Sequence, residues 1–177
     1  MTEFVALFRG INVGGKHILP MQDLRDLLAE LGCEDIQTYI QSGNAVFSAS
    51  ADPISLSAQI TSIIEERFGF APQVLLVTVE RFAAIASANP HPEAEAIPKF
   101  LHVWFLTEKA SNPDIDAMNS IKSENERFTL TDDALYLHSP DGIGRSRLAG
   151  KVDQHLGVST TARNWRTVRK LFDLAKS

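Results

Sequence analysis

The chain has 177 residues, 44% of them hydrophobic and 22% charged, with a net charge of −5. This is the make-up of one large or two small folded domains, and an acidic balance argues against a protein that coats DNA. No apolar run is long enough to span a bilayer, MTEFVALFRG lacks the basic start of a signal peptide, and the lone Cys33 cannot form an internal disulfide, so a cytoplasmic location is expected.

The first expected element is a strand over Phe4 to Phe8, followed by a glycine loop from Gly10 to Gly15. Pro20 suits the first turn of a helix whose apolar positions are Met21, Leu24, Leu27, Leu28 and Leu31, with Gly32 as its stop. Strands over Ile36 to Ile40 and Ala45 to Phe47 flank the turn Gln41-Ser42-Gly43-Asn44. Asp52-Pro53 opens a second helix that ends at Gly69, and Val74 to Val79 is a strand. The order is βαββαβ, a split βαβ or ferredoxin-like unit.

A connecting helix over Glu80 to Ala88 leads to an apolar strand over Phe100 to Leu106, then a helix over Pro113 to Ile121. Phe128 to Leu130 and Leu135 to Leu137 form a hairpin about Asp132-Asp133. A final helical region runs from about Ser146 to the end, broken near Gly157, and its last helix is capped by Thr160 or Thr161. The expected fold is α+β, with tandem ferredoxin-like (split βαβ) units over 1–79 and 80–145. A basic C-terminal helical segment, 146–177, packs on both.

Charge is segregated along the chain. Eight basic residues and two acids between Ile143 and Ser177 make that segment +6, which leaves −11 for the rest. Such a basic segment either meets an anion or covers an acidic surface.

Three glycine- and amide-rich stretches carry candidate chemistry. In GINVGGKH, Gly10, Gly15 and Lys16 sit at P-loop positions after a strand, but His17 stands where that motif needs Ser or Thr. The helix also starts too late for Lys16 and its N-terminus to share one phosphate. A plain turn, or a backbone nest that holds an anion without hydrolysis, fits better. Gln41-Ser42-Gly43-Asn44 has turn composition, and its amide and hydroxyl can share a pocket with Asn12. Gly142-Ile-Gly144-Arg145-Ser146 reads equally as a capped turn with solvated arginines or as an anion seat at a helix start. In the last helix Arg163 and Arg166, three apart, can face one anion, and Asn164 can brace the glycine loops. The five histidines show no metal-ligand spacing. Neither a metal nor a cofactor is expected.

Arg9-Gly-Ile-Asn-Val-Gly-Gly15, Tyr39-Ile-Gln-Ser-Gly-Asn44, Gly142-Ile-Gly-Arg-Ser146 and Thr161-Ala-Arg-Asn-Trp-Arg-Thr-Val168 resemble the signature blocks of the bacterial family called domain of unknown function 1697. The resemblance implies tandem ferredoxin-like parts and carries no established activity.

The expected function is binding of a phosphorylated or other anionic ligand, a nucleotide or, less well supported, a nucleic acid. The expected contacts are Arg9, Asn12, Gly14, Gly15, Lys16, Ser42, Asn44, Gly144, Arg145, Ser146, Arg163, Asn164 and Arg166. One alternative is an enzyme on an anionic small molecule, with Lys16 or His17 moving protons. The other is an architectural role in which the basic segment neutralises the acidic remainder. No membrane partner is expected, and the sequence leaves the oligomeric state open.

Overall fold

The computed structural model describes residues 1–177. The chain forms a mixed α+β structure with two four-stranded antiparallel sheets and six α-helices. It divides into two compact units, one of Met1–Ala84 with Leu171–Ser177, the other of Ile85–Lys170.

In the first unit, β1 (Thr2–Arg9), α1 (Met21–Glu30), β2 (Glu34–Thr38), β3 (Asn44–Ala49), α2 (Pro53–Phe68) and β4 (Gln73–Thr78) follow in order, and the sheet runs β2-β3-β1-β4. The apolar stripes of α1 (Leu24, Leu27, Leu28) and α2 (Leu56, Ile60, Ile64) cover Phe4, Ala6, Phe8, Ala45 and Phe47 of the sheet. Burying each of the larger side chains is worth about 1.5–3 kcal/mol. Local signals set the ends of α2. Asp52 accepts a hydrogen bond from the Ser55 N–H at its start, and Gly69 takes a left-handed conformation at its end.

The helix α3 (Val79–Ser87) continues directly from β4. The second unit then contains β5 (Leu101–Leu106), α4 (Ile115–Ile121), β6 (Arg127–Leu130), β7 (Ala134–His138), α5 (Val152–Leu156) and β8 (Thr160–Asn164), followed without a loop by α6 (Trp165–Lys176). Its sheet runs β6-β7-β5-β8, so the middle strands are again the first and third of the unit. Trp104, Leu106, Met118, Leu135, Leu137, Leu148, Val152 and Leu156 form its core. Tyr136 is buried and donates a 2.7 Å hydrogen bond to the Ile85 carbonyl.

The expectation for 146–177 needs one correction. Residues 160–164 are a strand, not the start of the last helix. β8 pairs antiparallel with β5, Thr161 opposite Phe105 and Arg163 opposite Val103. The physical reason is the β-branched Thr160-Thr161 pair, which suits a pleated sheet edge better than a helix turn. The cap of the last helix is therefore neither threonine. Asn164 fills that role, accepting a 3.0 Å hydrogen bond from the Thr167 N–H.

Candidate functional site

Of the thirteen expected ligand contacts, seven lie in the first unit and six in the second.

In the first unit the loop after β1 is a small hairpin. Lys16 N–H donates to the Val13 carbonyl and Asn12 N–H to the His17 carbonyl, at 3.0 and 2.9 Å. Gly14 and Gly15 form its tip with φ of +58° and +71°. Consecutive positive φ angles match the tight turns that glycine favours, so the segment is not a phosphate loop leading into a helix. Asn12, itself left-handed at φ 52°, holds this hairpin to the neighbouring turn. Its amide nitrogen donates to the Leu19 and Gln41 carbonyls and its oxygen accepts from Leu19 N–H, at 2.9, 2.7 and 2.7 Å. The two sequence blocks thus meet at this side chain, whose amide is spent on backbone.

Asn44 is fully buried and closes the second turn, donating to the Tyr39 carbonyl at 3.0 Å and to the Ser42 hydroxyl at 3.3 Å. Gly43 is enclosed, and a Cβ there would lie 2.6 Å from Phe8 Cβ and from Ile11 Cδ1. His17 stacks on Phe70 with ring centroids 4.7 Å apart. Its Nδ1 lies 2.9 Å from the Gly10 carbonyl; because a carbonyl only accepts, that nitrogen carries the proton. Arg9 ends β1 and is exposed. Gly14, Gly15 and Lys16 are exposed, and the Gly14 and Gly15 N–H groups and the Lys16 ammonium have no hydrogen-bond or ion-pair partner.

In the second unit Gly144, Arg145 and Ser146 form a short turn after Gly142. Ser146 accepts from the Ala149 N–H at 3.1 Å, so it does cap the next turn. Its hydroxyl donates to a residue that sequence reasoning passed over. Glu126 is 3% exposed and accepts from Ser146 at 2.7 Å, Ser139 at 3.0 Å and the Ser123 N–H at 3.1 Å. Burial works to raise the Glu126 pKa, yet the donors from Ser146, Ser123 and Ser139 outweigh it, and the carboxyl sits below its ordinary range. A phosphate seated on Ser146 would therefore face a buried negative charge. Nothing in the polar run Ser123-Glu124-Asn125-Glu126-Arg127 distinguishes the buried acid from its solvated neighbours.

Arg163 and Arg166 do not share a helix face, because one lies in β8 and the other in α6. Arg163 donates to the Ala162 carbonyl at 2.8 Å, and burial lowers its pKa to about 10. Arg166 is exposed, as are Arg145, Arg147, Arg169 and Lys170, and none of these five forms an ion pair. Within the same unit Arg127 pairs with Glu93 at 2.5 Å and Lys109 with Asp132 at 3.4 Å. No three His, Cys, Asp or Glu side chains are grouped to hold a metal ion. No helix is long and apolar enough to cross a membrane.

A family model described as a protein of unknown function, DUF1697, matches residues 1–136. The chain belongs to the DUF1697 family. The matched stretch contains the first two sequence blocks and ends before the other two. Likeness over the full length comes from structure. This DUF1697 protein superposes on a conserved bacterial protein from Streptococcus pneumoniae with a TM-score of 0.74 and 24% identity, covering 98% of each chain. That likeness establishes a shared fold. No curated protein matches the chain.

Proposed function

We propose that both units are ferredoxin-like (split βαβ) units and that the protein binds a phosphate-rich ligand, a nucleotide or nucleic-acid strand, on exposed cations. The middle position of the first and third strands in both sheets supports the fold reading. The observation that carries the functional reading is the unpaired state of Arg147, Arg166, Arg169 and Lys170. A basic segment that served only to neutralise acids would spend these side chains on carboxylates. Exposed guanidinium groups instead suit phosphate oxygens, which they can grip in bidentate fashion. In the first unit the free N–H groups of Gly14 and Gly15 beside Lys16 offer a second, smaller anion contact.

The architectural alternative keeps one supporting observation, the partly buried Arg163, whose guanidinium donates to the Ala162 carbonyl. For that residue a structural role fits better than ligand contact.

The test is a titration of labelled single-stranded RNA, and separately of ATP, across salt. Binding should weaken linearly in log salt, and reversing three of the charges (R166E, R169E, K170E) should flatten the slope by about 2–3. Absence of binding to both probes at low salt would refute the reading.

A further inference from the structure

The turn Gly142–Ser146 lines a cleft of about 50 Å³ in the second unit. Its floor is the buried Glu126 with the hydroxyls of Ser139 and Ser146. Its rim carries the exposed side chains of Asn125, Asp141 and Arg145. The lining leaves two charged groups without an opposite partner. Arg145 shares the cleft with two carboxylates and pairs with neither, since no nitrogen of it lies within 4.0 Å of either. Among protein groups Asp141 accepts only from Asn125, at 3.0 Å, so its other oxygen has no protein donor. Opposite charges therefore face one small space without closing it. A carboxylate has about four acceptor sites, and Glu126 has three in use.

We propose that this cleft is a binding site for the head group of an α-amino acid. The ligand carboxylate sits on the Arg145 guanidinium in a bidentate contact. The ligand ammonium sits between Asp141 and the remaining acceptor site of Glu126. The side chain points out over the rim into solvent. Size agrees with this assignment, because a cleft of about 50 Å³ is several times the roughly 10–15 Å³ that admits one water, which suits a group as small as an amino-acid head. Charge agrees as well. A phosphate would meet Glu126 and Asp141, and a simple amine would meet Arg145. Only a molecule with both charges a few bonds apart answers the whole lining.

The site is independent of the exposed cations assigned to phosphate above. It uses none of Arg147, Arg166, Arg169 or Lys170.

Calorimetric titration of the full chain with the protein L-amino acids, and with acetate, methylammonium and inorganic phosphate, tests the assignment. At least one amino acid should bind 1:1 with a Kd of about 1 mM or tighter, while the three simple ions give no saturable heat. R145A and D141N should each weaken that binding at least tenfold. Both side chains are exposed, so both variants should melt with the wild type. The proposal is overturned if no amino acid binds saturably, if acetate, methylammonium or phosphate binds as well as the amino acid, or if R145A and D141N bind like the wild type.

Discussion

Replacing Gly43 by alanine should be among the most costly single-methyl additions in the first unit. Gly43 has φ of +92°, a conformation that costs an L-residue about 1–2 kcal/mol. A Cβ there would also lie 2.6 Å from Phe8 Cβ and from Ile11 Cδ1. Phe8 Cβ cannot swing aside, because it is bonded directly to the backbone of the central strand. The Gly43 carbonyl accepts the Phe8 N–H at 2.9 Å, which ties the two segments together. Relieving the overlap means moving this pairing, and such overpacking costs about 1–3 kcal/mol more. The total is about 2–5 kcal/mol. For 177 residues at about 2.1 cal/mol/K each, a loss of 3 kcal/mol lowers the melting temperature by about 8 °C. G14A is the control. Its φ is also positive, at +58°, but nothing lies within 4 Å of the added methyl, so only the conformational cost of about 1–2 kcal/mol applies. Urea denaturation followed by circular dichroism measures both. If G43A costs no more than G14A, the argument from close approach is wrong.

Other outcomes follow from buried polar groups. E126A removes the acceptor shared by Ser123, Ser139 and Ser146 and strands the buried Ser139 hydroxyl; a loss of about 3–5 kcal/mol is expected in the same urea assay, and a loss below about 1 kcal/mol would contradict the network. Burial lowers the His102 pKa from 6.5 to about 4, so the unfolded chain takes up a proton in a range where the folded chain does not. The contribution of His102 to stability should be full above about pH 6.5 and fall, by about 3 kcal/mol, down to about pH 4; H102F should make the acid limb shallower, and an unchanged slope would assign that limb to other groups. Burial pushes the Cys33 thiol up to about 11, so Ellman's reagent at about pH 8 should label it only on unfolding, and rapid stoichiometric labelling of the native protein would refute this.

Most of the fold was legible because its boundaries are written in single residues. Asp52-Pro53 and Gly69 delimit α2 to the residue. The apolar spacing of Leu24, Leu27 and Leu28 sets the inner face of α1. The strand β8 was hidden because it runs straight into α6. No glycine or proline interrupts residues 160–171, so the helical spacing of Trp165, Val168 and Leu171 absorbs the residues before it. That merger also misassigned Arg163, which a strand turns to the Val103 face of the sheet and a helix would have left beside Arg166. The site was less legible than the fold. Asn12, Asn44 and Ser146 have the composition of exposed-ligand chemistry, yet each spends hydrogen bonds on backbone or a neighbouring side chain. Glu126 carries no local signal, because its burial depends on where β6, β7 and the turn at Ser146 come together.

The hairpin closed by Asn12 and His17 has a practical consequence for handling the protein. Its tip projects two glycines with no atom near either α-carbon's missing substituent, and the bonds that hold it lie below that tip. An epitope or a dye-bearing peptide spliced between Gly14 and Gly15 should leave the Asn12 clamp and the sheet beneath it intact, since extra loop length costs little where the stem is already paired. The same peptide spliced at Gly43 would wedge Phe8 away from its partner strand. The first loop is a place to attach a reporter; the second is a joint in the frame.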